Sequence, residues 1–409
     1  MKKRYVFCLF LILAGVFRIQ AEQLVSPTWG FRLYLPSGYE FIDGDGKNAF
    51  SFESSFGTNL DLLVYTDKAS VTALAEETEQ KISNRGKKNV FTYNNRETIV
   101  MELDFLRGSD AITGWALFLE LDNPSASETL SSSAGRENSK AYLLALAYGP
   151  PRAELQNLHI SLLDSIEGSD ADYRRPGAMT EFFHPQGEWI TAELANSREI
   201  ARFRENDAEA AQYVVDREFE VMKLYLDSPL WQEAWKRFYR MIYKDSFDRL
   251  VHAAFLLERG WNNSVLTDNG KKPEGTDQLG KRNDEAAGIA AKALKWVQDF
   301  RFERDLMGSD FVNLVTAVLE GRGDCDSRAM LWAVVLAQAY ISSGIMVSRE
   351  YSHAMGLADL EGQGARFPMK DDSGKDIRWM VAETTANVAL GLIGETVSDI
   401  SGWLGITFE

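Results

Sequence analysis

The chain has 409 residues, which at about 150 residues per domain suggests two to three domains. Its 45% hydrophobic and 25% charged residues exclude a disordered chain, a collagen-like fibre and a polytopic membrane protein. Formal net charge is −16. The first 21 residues carry Lys2, Lys3, Arg4 and Arg18 and no acid, and without them the balance is 40 basic to 60 acidic residues, −20; such a chain repels phosphate backbones and anionic lipid surfaces, so nucleic acid is not an expected partner.

Residues 1–21 have the form of a secretory signal peptide. Lys2 to Arg4 supply a positive start, Tyr5 to Phe17 an apolar run, and Ala21 a small residue at the expected cut. The run is short for a bilayer span, which needs roughly 20 apolar residues; an uncleaved anchor is the alternative. No later stretch is long and apolar enough to cross a membrane. The mature protein is therefore expected to be periplasmic or secreted, with no membrane span after signal removal. Cysteine usage sharpens this. Cys8 would leave with the signal, so Cys325 would remain as a single thiol in an oxidising compartment, either buried or used.

Residues 22–168 read as an α/β sandwich domain. Phe31, Leu33 and Leu35 alternate, as do Ile99, Met101, Leu103 and Phe105, which predicts half-buried strands. Trp115–Leu121 and Ala141–Tyr148 are apolar runs of strand length. Val71, Leu74 and Ile82, and then Leu155, Leu158, Leu162 and Ile166 after Pro151, have helical spacing. A polar loop is expected at 123–140. The order of elements, the opening GFRLYLPSGYEF and the closing amphipathic helix resemble the PsbP-like fold. That resemblance implies an α/β/α sandwich with an antiparallel sheet.

Residues 169–187, with two prolines and no periodicity, read as a linker. A helical segment is expected over 188–284. In it Ser228-Pro229 predicts a helix start, followed by a stripe of Trp231, Ala234, Trp235, Phe238 and Ile242. A second stripe runs through Phe247, Leu250, Val251, Ala254 and Leu257. Aromatic stripes at this spacing are core more often than ligand groove. Residues 262–284 are polar and read as a loop.

The chemistry lies in 285–409. In GRGDCDSRAMLWAVVLAQAY (321–340), Asp324 is placed to cap a helix. Cys325 falls in its first turn, where the dipole favours a thiolate and free N–H groups can hold an oxyanion. Asp324 and Asp326 act against the thiolate, so a positive partner is needed. Ile345–Arg349 and Ser352–Asp359 read as a strand pair with His353 opening the second strand, and RWMVAETT (378–385) as a further strand carrying Glu383. Nucleophile, base and orienting carboxylate in that order form a catalytic set.

These segments, with the lead-in KALKWVQDFRFERD and FVNLVTAVLE, resemble the transglutaminase-like superfamily of papain-type cysteine enzymes. The resemblance covers 286–409. It implies an α+β core in which Cys325 attacks an amide carbonyl, His353 is general base and acid, and Glu383 is the third member. That family's usual third member is aspartate, so glutamate is a departure. Trp296 and Trp332 are candidates for an extra oxyanion donor. A zinc site of Cys325, His353 and Glu383 is the competing reading, on a poor ligand signature; no cofactor or metal is expected.

The other polar candidates have plainer readings. His159 and His252 read as solvated or capping residues on amphipathic helices, and His184 precedes a proline in the linker. Arg322 and Arg328 would either recognise a substrate carboxylate or pair with Asp324 and Asp326. The expected activity is that of an exported cysteine hydrolase or acyltransferase on a peptide or isopeptide, with the N-terminal domain docking a substrate or protein partner. The alternative is a non-catalytic binding or scaffold protein of the cell envelope with the same fold.

Overall fold

The computed structural model describes residues 23–122, 140–268, 278–304, 309–370 and 375–408, with side chains described outside 262–268 and 278–282. The expected signal segment, Cys8 and nearly all of the 123–140 loop lie outside the described residues.

The chain opens with a ribbon of β1 (Gln23–Val25) and β2 (Arg32–Tyr34). Then come β3 (Tyr39–Gly44), β4 (Ala49–Ser54), β5 (Asn59–Tyr65) and helix α1 (Val71–Ile82). Strands β6 (Lys88–Tyr93), β7 (Arg96–Arg107), β8 (Asp110–Leu121) and β9 (Ala141–Gly149) complete a seven-stranded sheet. Its order is β3-β4-β5-β9-β8-β7-β6, antiparallel throughout. The period-2 alternation of strands sorts side chains between two covered faces. Ile99, Met101 and Leu103 meet Val71, Leu74 and Ala75 of α1 on one face. Val100, Leu117, Leu119 and Leu143 meet α2 (Gln156–Asp164) and α3 (Ala178–Phe183) on the other. Burial on both faces explains why β9 reads as an unbroken apolar run. This is the expected α/β/α sandwich.

The segment expected as a linker is part of that sandwich. Ala178, Met179 and Thr180 of α3 are buried, and the first two belong to the sandwich core. The expected all-helical stretch from 188 begins instead with a hairpin, β10 (Trp189–Glu193) and β11 (Ile200–Arg204). Helices α4 (Asp207–Lys223), α5 (Trp231–Arg249), α6 (Val251–Asp268) and α7 (Gln278–Gln298) follow. Helix α5 starts two residues after the Ser228-Pro229 signal, because the Ser228 hydroxyl accepts from Leu230 N–H at 3.1 Å in the turn before it. Helices α6 and α7 enter the expected 262–284 loop from both sides, leaving 269–277 outside the described residues.

Next are β12 (Arg301–Phe302), α8 (Leu314–Glu320), β13 (Arg322–Gly323) and α9 (Cys325–Gln338). Strands β14 (Ser343–Ser348), β15 (His353–Ala358), β16 (Arg366–Lys370), β17 (Asp376–Ala382) and β18 (Leu404–Thr407) form an antiparallel sheet ordered β16-β17-β15-β14-β18. Helix α9 lies against one face of it. One apolar cluster runs from Leu194 through α5–α9 to Phe408, so the expected boundary at 284/285 divides a shared core.

A buried ionic network fastens the sandwich to the helices. Arg217 of α4 reaches Asp164 at the end of α2 (2.8 Å) and its neighbour Glu218 (2.8 Å). Arg237 of α5 meets the other oxygen of Glu218 at 2.8 Å and the carbonyl of Tyr34 in β2 at 3.2 Å. Thr180 donates N–H and hydroxyl to Asp164 at 2.7 and 2.6 Å. The far end of α5 is tied to the last strand: Arg240 donates to the Thr407 carbonyl, and Tyr243 stacks on Phe408 with centroids 4.3 Å apart.

Burial alone would push the Asp164 carboxyl up, but Arg217, Lys244 and the Thr180 bonds outweigh it and hold it below the usual carboxylate value. An acid depressed in the folded state stabilises above its unfolded value and loses that contribution as pH falls. Arg217→Ala leaves Asp164 and Glu218 as buried charges with one cation fewer, and should cost about 3–5 kcal/mol. Urea melts at pH 7 measure this, and the gap between variant and wild type should narrow below about pH 4; an equal gap at both pH values would show that Asp164 does not feel the cation.

Candidate active site

The loop before α9 is held by two glycine-dependent contacts. Gly321 ends α8 with φ +61°, the left-handed conformation that glycine adopts without strain. At Gly323 a Cβ would sit 2.9 Å from Ser327 Cβ. The short parallel pairing of β12 with β13 pins this loop. Asp324 caps α9 as expected: its Oδ1 accepts the Ser327 N–H at 2.8 Å and the Ser327 hydroxyl at 2.6 Å. Cys325 is the first helical residue and only 8% exposed.

His353 opens β15, and its Nε2 lies 2.8 Å from Oε2 of Glu383, one residue past the end of β17. Thr385 gives its N–H (2.8 Å) and hydroxyl (2.6 Å) to the other Glu383 oxygen. Gln298 of α7 donates to the Glu383 carbonyl at 2.9 Å and to Val388. Burial would raise the Glu383 carboxyl, but its bond to His353, the His353 charge and Thr385 hold it below the usual value. An ionised carboxylate only accepts, so Nε2 carries the proton of that bond, and in a neutral ring the lone pair lies on Nδ1. The structure thus joins His353 to Glu383. It sets Cys325 near the next residue, Ala354, whose N–H acts to lower the thiol's pKa.

The thiol's surroundings are acidic. Its Sγ donates to Asp326 Oδ1 at 3.4 Å, while Asp326 Oδ2 accepts from the Tyr239 hydroxyl of α5 at 2.5 Å. Burial first, then Asp326 and Asp324, pushes the Cys325 thiol well up, against the Ala354 N–H. Asp324 and Asp326 are themselves raised, chiefly by burial. The thiolate expected from the helix dipole is therefore not the favoured resting form: a dipole effect of up to ~2 kcal/mol is overridden by desolvation and two carboxylates.

Several expected roles fall elsewhere. Trp332 Nε1 donates to Ala290 O (3.1 Å) and Trp296 Nε1 to Ala195 O (2.8 Å), so both indoles are committed away from an oxyanion. Arg322 pairs with Glu320 and Glu303, and Arg328 donates to the carbonyls of Gly323 and Phe300; neither meets Asp324 or Asp326. His159 is not solvated. It is fully buried between the sheet and the helices, neither ring nitrogen has a partner among the described residues, and burial lowers its pKa to about 4. His252 Nδ1 accepts the Arg202 N–H at 2.9 Å. His184 packs on Tyr213, with ring centroids 4.5 Å apart. Among the described residues, no three His, Cys, Asp or Glu side chains group so as to hold a metal ion.

The sequence reading missed two features. Trp332 packs closely on β15 because residue 356 is glycine; a Cβ there would be 2.4 Å from the indole. This sets how α9, and with it Cys325, meets the strand of His353. The second is a groove. Trp231 and Trp235, expected as core, line a cavity of about 370 Å³ with Arg349 and Trp403. The Trp403 ring is 6.1 Å from that of His353, and Trp235 leads through Tyr239 to Asp326.

Comparison with protein-family models finds no match, and comparison with curated proteins finds none. Two solved structures are weak neighbours. One is the solution structure of cyanobacterial PsbP (CyanoP) from Synechocystis sp. PCC 6803, similar to the N-terminal region at 12% identity and a TM-score of 0.27, over 39% of this chain and 98% of that one. The other is a crystal structure from Bacteroides thetaiotaomicron at 10% identity and a TM-score of 0.23, over 84% of this chain and 88% of that one. Among the described residues no helix is long and apolar enough to cross a membrane.

Two outcomes follow from the site. With its thiol pushed up, Cys325 should react slowly with iodoacetamide at pH 6–7 and faster as pH climbs through 9. Asp326→Asn removes one raising charge and should speed alkylation at pH 8 by roughly 3- to 10-fold; an unchanged rate would mean the carboxylate does not act on the sulfur. Gly356→Ala should cost about 1–3 kcal/mol through overpacking against Trp332, read as a shift of the guanidinium midpoint.

Proposed function

We propose that the protein is a cysteine hydrolase or acyltransferase acting on a peptide or isopeptide amide, with Cys325 as nucleophile, His353 as general base and acid, and Glu383 as the carboxylate that orients His353. The observation that carries this reading is the 2.8 Å contact between His353 Nε2 and the ionised Glu383, on the strand whose next N–H acts on the thiol of a helix-N-terminal cysteine. The arrangement resembles that of transglutaminase-like, papain-type enzymes, with glutamate where aspartate is usual.

The raised thiol makes the reaction general-base assisted rather than dependent on a preformed ion pair. His353 Nδ1 takes the thiol proton as sulfur adds to the carbonyl carbon. The first-turn N–H groups of α9 face the developing oxyanion. The imidazolium, held by Glu383, returns the proton to the leaving nitrogen, which departs as an amine and leaves a thioester. Water, or an acceptor amine, then adds with His353 again as base; collapse releases acid or new amide and restores the thiol. The cavity of Trp231, Trp235 and Trp403 supports a peptide substrate with an apolar side chain next to the scissile bond.

Export to the periplasm or beyond belongs to the same reading, resting on the Lys2–Arg4 start and the apolar run after it. The sandwich would dock a substrate or partner. A second reading is favoured by the buried, acid-flanked thiol: a transglutaminase-like binding or scaffold protein that has lost turnover.

A panel of peptide chloromethyl ketones read by intact mass separates the two. The enzyme should gain one adduct at Cys325, absent in Cys325→Ala and slowed at least tenfold in His353→Ala; a His353→Ala rate equal to wild type favours the scaffold. On any substrate found, Glu383→Gln should lower kcat by about 10- to 10³-fold, less than the ~10⁴ seen when a serine triad loses its carboxylate. Loss as complete as in Cys325→Ala would give Glu383 a direct chemical role.

A further inference from the structure

A cavity of about 530 Å³ opens where the hairpin β10–β11 meets α3, α5, α6 and the β6–β7 turn. It lies apart from Cys325, His353 and Glu383, none of which lines it. Its character follows from the hairpin register. Trp189 pairs with Arg204, and Arg202 is two residues back on the same face, because alternate strand residues share a side. Ala201 and Phe203, on the other side, are buried in the helical core. This fixes which way the arginines point.

Both guanidiniums lie over one indole: Arg204 is 3.8 Å and Arg202 4.7 Å from the Trp189 ring centroid. Neither has a carboxylate within ion-pair distance among the described residues. Arg204 Nε is buried there without a partner. The acids of the cavity are already engaged. Asp207 pairs with Arg249 at 2.6 Å and Asp248 with Arg175 at 3.5 Å. Glu181 accepts from Gln186, and burial raises it to about 7. Two like charges on one ring repel, and a shared anion would both offset that repulsion and offer a partner to the buried donor. A chain of net charge −16 has no general attraction for anions, so this local pairing stands out from its background.

We propose that this cavity is a binding site for a small organic dianion, a dicarboxylate or a phosphate monoester, gripped by the guanidinium forks of Arg202 and Arg204. Trp189, although 52% exposed, holds the two planes in place by cation–π contact. Planar guanidinium donors match carboxylate and phosphate oxygens in pairs.

The test is calorimetric titration of the full chain with succinate and with inorganic phosphate, each at constant ionic strength set by sodium chloride. Saturable binding of either probe is expected. Succinate alone would point to a dicarboxylate, phosphate alone to a phosphate ester. Arg202→Ala/Arg204→Ala should weaken binding at least tenfold. Arg202→Lys/Arg204→Lys, which keeps charge but not the fork, should fall between and supplies the reading should the alanine variant not fold. Cys325→Ala should bind as wild type, so the result stands apart from that of the adduct experiment. No saturable binding of either probe, or equal binding by both arginine variants and wild type, overturns the proposal.

Discussion

The burial of helix α9 is the constraint on which the arrangement of the site rests. From Ala329 to Leu336 its residues are almost wholly out of solvent, packed on the β14–β15 face and enclosed by α5, α6, α7 and α8. A helix apolar all round has no solvent side and must be surrounded. Its first turn therefore cannot sit on the surface, and the cysteine there is buried by the same packing that fixes it. The close contact of Trp332 with Gly356 then sets the helix's distance from β15. Positioning and desolvation come from one cause.

That coupling explains the electrostatics. A dipole at a helix start favours a thiolate when water also solvates it. Here little water reaches the sulfur, and the cap that starts the helix is itself an acid, with a second acid two residues on. The same sequence feature that positions the nucleophile raises its pKa. The group that can carry positive charge is His353, whose ring is held by a carboxylate that also accepts two bonds from Thr385.

Much of this was legible in the chain because it rests on local periodicity. The alternation of Ile99, Met101 and Leu103, the helical spacing of α1 and α2, the Asp324 cap and the β14–β15 pair are all patterns within a dozen residues. The hairpin β10–β11 was not, since its outer face mixes the apolar Trp189 and Ile200 with Arg202 and Arg204, and Ile190 on the other face is itself exposed. Strand β16 hides behind Pro368, which a sheet tolerates at its edge, where this strand lies. The network of Arg217, Glu218 and Arg237 gave no signal, because its ties to Asp164 and Tyr34 span 53 and 203 positions and leave no periodic trace. His159 misled for the opposite reason: α2 is amphipathic in sequence but covered on both sides. The sulfur's acidic setting was visible in Asp324 and Asp326; its depth was not.

Helix α5 joins regions that are far apart along the chain. Arg237 bonds Tyr34, 203 residues before it, and Arg240 bonds Thr407, 167 residues after it. Ordering by contacts of such separation is slow, because the entropy of closing the long loops is lost before the contacts repay it. Helix α5 can form early, but its native neighbours assemble only once the sandwich and the last strand are both present. The helix that shields Asp326 would then be among the last to dock, so a half-assembled chain would leave the thiol open to water and oxidants. A long-lived intermediate of this kind would be recognised by fast thiol labelling that decays as the helix seats.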